Sequence, residues 1–277
     1  EKFHGLQDIE ERYRRRYLDL IMNEDARERF LLRSKLIWEI RSFLNHHGYV
    51  EIETPILNNK ASGAMAKPFK THHNALDIDL YLRIAPETYL KRAIVGGFTK
   101  VFEFARCFRN EGMDTTHLQD FTMLEGYGAY LNYQDNMKFL QEMIQTVVKN
   151  LFGKLELTID GVTVDISGDW ESISMRDLIL KYTPIDIYEY DTKEKLLEKI
   201  KQEKIEIDSE TPLENLGYGN LVDQLYKKVA RPHVVKPCFL TKHPISLSPL
   251  ARANDDNPNL TDRFQLIING AEIINAY

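Results

Sequence analysis

The stretch from Val101 to Tyr130 reads VFEFARCFRNEGMDTTHLQDFTMLEGYGAY: an apolar strand, a polar loop, then a second strand with period-two patterning. Two strands this close in sequence pair as an antiparallel hairpin, and a hairpin is stable only within a wider sheet or under a covering helix. In the second strand Phe121, Met123, Glu125, Tyr127 and Ala129 share one face, and Thr122, Leu124, Gly126, Gly128 and Tyr130 take the other. Glu125 and Tyr127 therefore point the same way. Arg109 and Glu111 sit where the first strand runs out, and His117 lies in the loop. Such residues can cradle a polar ligand carrying both signs of charge, or they are ordinary charges on a sheet rim. Residue type alone leaves both readings open.

The rest of the chain supplies elements to build around this hairpin. Phe30, Leu31, Ile37, Ile40, Phe43 and Leu44 recur at helical spacing and predict an amphipathic helix over 25–46, stopped by Gly48. A short strand over Tyr49–Ile52 ends by Pro55, and LNNKASGAMAKPF is a loop around Gly63. Leu80–Ile84 reads as a strand. The next helix opens at Pro86, carries Glu87 in its first turn and stops at Gly96-Gly97. Met137, Leu140, Ile144, Val147, Val148 and Leu151 predict a second long helix, with Gly153 as its stop. Leu155–Ile166 is a hairpin turning at Asp160-Gly161, and Ser174 to Asp177 has the form of a capping box. Residues 191–214 are rich in lysine and glutamate, with Leu196, Leu197 and Ile200 as a weak stripe; they predict a small exposed helical insertion. Asn220 is placed as the cap of a helix running to Ala230, and RFQLII and AEIINAY as a last hairpin turning at Asn269-Gly270. Long helices alternate with antiparallel hairpins, and no glycine-rich strand-to-helix fingerprint is present. The pattern argues against Rossmann and P-loop enzymes and predicts an α+β fold built on a mixed or antiparallel sheet.

A formal charge of −6 gives no global attraction to nucleic acid, so RNA contact needs a local patch or a further domain. The cluster YRRRY at 13–17 is either a solvated linker or a phosphate contact. Cys107 and Cys238 stand far apart with no CxxC companion, so neither a zinc site nor a disulfide framework is suggested. No apolar run is long enough to span a membrane, and the first residues are too charged for a signal peptide; a cytoplasmic protein without a membrane partner is the expectation.

RYRRRYLDL at 12–20, GYVEIETP with Pro55, ASGAMAKPF, YLRIAPETYLKR, FRNE at 108–111 with His117 and Phe121, SPLARANDDNP and TDRFQLIINGAEIINAY follow one another along the chain. Together they resemble the catalytic domain of class II aminoacyl-tRNA synthetases, most closely the lysyl branch. The resemblance implies an antiparallel sheet flanked by helices over residues 24–277, cut short at its C-terminus and carrying the 191–214 insertion. Residues 1–23 would be a linker from an N-terminal domain outside the chain. It implies ATP-dependent activation of L-lysine and its transfer to tRNA(Lys), by a homodimer that uses ATP and Mg2+. Arg109 would hold the amino-acid carboxylate and the α-phosphate, Glu111 the adenine or ribose edge, His117 the outer phosphates, and Phe121 the adenine ring. Gly63 and Glu87 would take the α-ammonium, with Glu125 nearby, Tyr127 the side-chain ammonium, and Asn275 and Tyr277 would line the amino-acid pocket. Glu272 would bind the metal, with Gln265 standing where a second metal glutamate is usual.

The substrate carboxylate is itself the nucleophile on the α-phosphate, so the step needs positioning and charge stabilisation rather than a serine, cysteine or general base. The chain departs from the family in Leu118-Gln119-Asp120, where Asn-Pro-Glu is usual, and in Gln265. It also stops before a further pocket glutamate and before the third class motif, so this stretch is expected to be inactive alone. Two alternatives are a ligase attaching a lysine-like group to a protein and a catalytically silent RNA-binding or regulatory homologue. In the last hairpin, regular pairing from Ile268 with Ala271 puts Gln265 and Glu272 on one face and Asn275 and Tyr277 on the other. Their sharing a pocket requires a bulge near Ile273–Ile274.

Overall fold

Val101–Tyr130 folds as the hairpin its pattern demands, with unbroken antiparallel register from Lys100 opposite Gly128 to Phe108 opposite Asp120. The computed structural model describes residues 5–64, 66–112, 117–159, 161–209, 211–248 and 250–277. Two compact units make up the chain, Glu1–Leu131 and Asn132–Tyr277.

The first unit begins with two short helices, α1 (Ile9–Arg14) and α2 (Arg16–Met22), where the sequence suggested a linker. Each arginine of the basic run has an acidic partner: Arg12 and Arg16 on the buried Asp19, Arg14 on Glu10, Arg15 on Glu11. The run is thus largely self-neutralised. The long helix α3 covers Glu24–His46, and Gly48 turns the chain out of it with φ of 79°, a left-handed geometry that a side chain would strain. Then come β1 (Val50–Glu51), β2 (Leu57–Asn58), β3 (Lys70–His73), β4 (Ile78–Leu82), α4 (Glu87–Val95), β5 (Lys100–Phe108) and β6 (Asp120–Gly128). The strands form two sheets, β1-β5-β6 with β1 parallel to β5, and β2-β4-β3. Strands β2 and β3 were not expected: one is two residues long, the other is the polar run Lys-Thr-His-His, and neither carries an apolar alternation. Strand β4 starts and ends two residues earlier than predicted. Arg83 leaves the strand ladder to bond Ile56 O through its N–H and Phe108 N–H through its carbonyl. Pro86 stands at the N-cap of α4, one residue before the position expected.

The second unit holds α5 (Tyr133–Phe152), the hairpin β7 (Glu156–Ile159) and β8 (Val162–Asp165), β9 (Glu171–Ser174), α6 (Met175–Tyr182), α7 (Lys193–Gln202), α8 (Tyr218–Val229), β10 (Cys238–Thr241), β11 (Phe264–Ile268) and β12 (Ala271–Ala276). Helix α5 has a full capping box, Asn132 and Asp135, and ends at Gly153 in left-handed geometry. Ser174 caps α6 as its pattern predicts. In the β7–β8 turn Gly161 has φ of 80°, while Asp160 lies outside the described residues. The sheet runs β12-β11-β10-β9, with β9 parallel to β10, so it is mixed rather than wholly antiparallel.

Both faces of this sheet are covered. Cys238, Leu240 and Ile267 pack with Leu178 and Ile179 of α6 and Leu221 and Leu225 of α8. Phe239, Phe264 and Leu266 pack with Val148 of α5, Val164, Ile166 and Trp170. Two readings are corrected here. Leu196 and Ile200 of α7 belong to the first of these cores, so the 191–214 segment is not simply an exposed insertion; full burial of each is worth roughly 1.5–3 kcal/mol. Gly217, not Asn220, is the N-cap of α8, and Asn220 lies inside the helix.

Candidate active site

One face of the β5–β6 hairpin gathers the polar residues singled out above. Directly paired residues of an antiparallel ladder project to the same side, so Val101, Glu103, Ala105 and Cys107 share a face with Tyr127, Glu125, Met123 and Phe121. Tyr127 Oη donates to Glu125 Oε2 at 3.0 Å. Burial pushes the half-buried Glu125 carboxyl up to about 7. The hydrogen bond from Tyr127 opposes the rise, the nearby Glu87 adds to it, and Arg109 and Lys91 oppose it. Near neutral pH this carboxyl exists in both forms, poised to ionise for an arriving cation.

Glu87 comes from the first turn of α4 and is 6% exposed. Its Oε1 accepts from Lys91 Nζ at 2.6 Å. Gly63 sits against it: a Cβ at that position would lie 3.1 Å from both Ala85 Cβ and Glu87 Cβ, and φ is +90°. Glycine is needed there for both reasons. Arg109 holds Ile84 O through Nε and a terminal nitrogen, each at 3.4 Å, and its guanidinium lies 5.1 Å from the centre of the Phe121 ring. Its N–H bonds Gln119 O across the mouth of the loop at 2.8 Å. Glu111 is exposed and accepts from Lys67 N–H, and His117 is exposed on the loop. The first unit thus brings Gly63, Glu87, Arg109, Phe121, Glu125 and Tyr127 around one hairpin and helix.

Beside them lies a buried ion pair that pattern reading missed. Arg83 and Glu103, 5% and 3% exposed, meet at 2.6 Å. Arg83 also donates to Arg106 O, Thr54 O and Thr54 Oγ1, and Thr54 Oγ1 donates to the other Glu103 oxygen at 2.6 Å. The one available signal was a glutamate inside an apolar strand, Phe-Glu-Phe, which needs a buried partner.

In the second unit, Asn269 and Gly270 take φ of 49° and 71°, the geometry of a type I′ turn. Ile267 pairs with Glu272, but Leu266 pairs with Ile274, so Ile273 is the extra residue of a bulge. Gln265 then pairs with Asn275, which puts Glu272 and Asn275 on one face, as the shared-pocket reading required. Arg263 Nε donates to Asn275 Oδ1 at 2.8 Å. Tyr277 follows the strand and is exposed. Glu272 is open to solvent at the surface, yet surrounding atoms desolvate it and raise its pKa. Arg263, Lys227 and Arg231 oppose that rise and Asp223 adds to it. Gln265 is buried and meets His243 Nε2 at 3.4 Å, and burial, with Arg263 nearby, pushes that imidazole down to about 3.

Residues 8–277 match the family model of tRNA synthetases class II (D, K and N). The chain belongs to this family. Among relatives of this class II domain, a lysine–tRNA ligase of Dehalococcoides mccartyi is 49% identical over 277 residues, covering 100% of this chain and 55% of the relative. Lysine–tRNA ligases of Shigella dysenteriae and Escherichia coli K12 are 45% and 44% identical over 281 residues, covering the whole chain and 54% of each relative. The chain spans about half the length of the curated relatives it matches. No described helix is long and apolar enough to cross a membrane. Among the described residues, no group of three or more His, Cys, Asp or Glu side chains can hold a metal. One carboxylate still suits Mg2+, which keeps several waters and takes phosphate oxygens as ligands. Glu272 is the exposed carboxylate of its strand, while Gln265 is buried and turned to His243.

Proposed function

We propose that the full-length protein activates L-lysine with ATP and transfers it to tRNA(Lys) as a cytoplasmic homodimer. The observation that carries the reading is the Glu87, Glu125 and Tyr127 group beside Arg109: two carboxylates for two ammoniums, and a guanidinium for a carboxylate or phosphate. The names of the relatives favour lysine within a family that also serves aspartate and asparagine. Glu87, with Gly63, takes the α-ammonium; Glu125 and Tyr127 take the side-chain ammonium. Arg109 holds the lysine carboxylate against the α-phosphate, where that carboxylate forms the new P–O bond and pyrophosphate departs. Phe121 offers a ring to adenine, Glu111 contacts the adenine or ribose, and His117 the outer phosphates. Asn275 and Tyr277 keep the amino-acid-contacting role implied by the resemblance. By the same resemblance Glu272 would hold Mg2+, which would neutralise phosphate charge.

The dimer is supported by an apolar face of α3 left open to solvent, with Phe30, Leu31 and Trp38 at least half exposed. ATP–pyrophosphate exchange by the full-length protein, with lysine, aspartate and asparagine compared, tests the function. Lysine should support exchange best. Higher activity with aspartate or asparagine refutes the substrate, and no exchange with any of them favours the silent homologue.

A further inference from the structure

Arg263 stands one residue before β11 and has no part in the proposed reading. Its Nε donates to Asn275 Oδ1 at 2.8 Å, and one terminal nitrogen donates to Leu247 O at 3.2 Å and to Ser248 Oγ at 2.8 Å. Burial disfavours its charge, which Glu272, Asp223 and Tyr277 nearby favour. The bulge at Ile273 makes the meeting with Asn275 possible. Regular pairing from Ile268 with Ala271 would set Asn275 opposite Phe264, projecting from the face that Arg263 does not share. The extra residue sets Asn275 opposite Gln265 instead, one diagonal step from Arg263 and on its side of the strand. The other end of the fork is held as well. A Cβ at Gly219 of α8 would fall 2.4 Å from Ser246 Oγ and 3.2 Å from Leu247 N, so the turn Ile245–Leu247 lies tight on that helix. Arg263 thus ties Asn275 to a segment that is itself clamped on α8.

The same bond decides which way the Asn275 amide faces. A guanidinium has five N–H donors and no acceptor, so it can take only the carbonyl end of an amide. Asn275 is exposed, and among the described residues its Nδ2 has no partner. A free donor receives an acceptor, and an amino acid with two ammoniums has acceptors only in its carboxylate.

We propose that Arg263 is a positioning residue: it holds the Asn275 amide with its donor end toward the amino acid, so that Asn275 recognises a carboxylate and turns away an ammonium. This inference rests on the assignment of Asn275 to the amino-acid pocket. The test uses the full-length protein, its Arg263→Met and Asn275→Ala variants, and the two combined. Calorimetric titration compares L-lysine with 1,5-diaminopentane, which has two ammoniums and no carboxylate. In Arg263→Met, lysine should bind about five-fold or more weakly, while 1,5-diaminopentane stays within about two-fold of the wild type. In Asn275→Ala, adding Arg263→Met should change lysine binding by less than about two-fold, because no amide is left to orient. An equal loss for both ligands means general collapse, and an undiminished loss in the double variant means a charge effect at a distance; either overturns the proposal. Asn275→Asp keeps Arg263 and its partner oxygen, so it decides the matter even if Arg263→Met fails to fold. It replaces the free donor by an acceptor: lysine should bind about five-fold or more weakly and 1,5-diaminopentane should not, whereas tighter lysine binding overturns the proposal. If the wild type binds neither ligand, the lysine assignment falls and hydrogen exchange decides the role of Arg263. Arg263→Met should then speed exchange over both 245–248 and 272–276, and unchanged exchange at either overturns the positioning role.

Discussion

Replacing Glu103 by glutamine tests whether the buried charge beside Glu125 on the hairpin holds the site in place. The side chain keeps its volume and one acceptor for Arg83, but the guanidinium loses its counter-charge in a place where both residues are almost fully hidden. Breaking a buried pair by removing one charge costs about 3–5 kcal/mol, most of it from the charge left behind. Glutamine retains a hydrogen bond, so the lower end, about 3 kcal/mol, is expected. Arg83 also bonds Thr54 O and Arg106 O, and its carbonyl holds Phe108 N–H beside Arg109. The loss should therefore concentrate at the end of β5. Hydrogen exchange at the β5 amides, with urea unfolding of the same protein, reads both the size and the place of the effect. The double variant Glu103→Leu with Arg83→Met removes both charges and should recover about 1–3 kcal/mol of the single variant's loss, because an apolar pair has no ion to desolvate. A loss under about 1 kcal/mol in Glu103→Gln, or a double variant no better than the single, would refute the electrostatic account in favour of packing alone.

Further outcomes follow from the same structure. Glu125, with its carboxyl up to about 7, should bind a cationic amino acid more tightly as pH rises from 6 to 8, by up to about tenfold per unit below that value; a flat calorimetric profile would exclude it as the receiving group. The same shift makes the protein lose stability as pH rises from about 4.5 to about 7, since the unfolded chain gives up this proton first, and denaturation midpoints across that range check it. Tyr127→Phe removes the donor to Glu125 and should cost about 1.5–3 kcal/mol of lysine binding, with binding at the wild-type level as the contrary result. Charge on the open face of α3, Leu31→Glu with Trp38→Glu, should turn the full-length dimer into a monomer by light scattering; a monomeric wild type would remove the dimer reading.

Much of the fold was legible because its signals are local. The long helices carry a 3.6-residue apolar period and end at glycines that reach left-handed backbone cheaply, as Gly48 and Gly153 do. Asn269-Gly270 specifies its turn, and so the pairing of Ile267 with Glu272, through the φ values only such residues adopt easily. What was missed has short or polar patterns. Strands β2 and β3 exist because β4 offers them a ladder, and α7 is part of a core because α6 and α8 stand beside its stripe. No window of sequence contains those partners.

The site divides the same way. Alternation along β6 by itself put Glu125 and Tyr127 on one face, and the family motifs by themselves named Arg109, Glu87 and Gly63. The fold alone decided which charges are alone and which are paired. Glu103 could have been a surface carboxylate; it is buried because Arg83, twenty residues earlier, is carried to it by an adjoining strand end. Gln265 could have been an exposed strand residue; it is buried, with His243 3.4 Å from its side-chain oxygen. Lys91 could have been one more surface lysine until α4 settled against the hairpin and brought its ammonium 5.7 Å from the centre of the Tyr127 ring. Periodicity is written in the order of residues, but the energy of a charge depends on what surrounds it, and that is fixed only when distant segments meet.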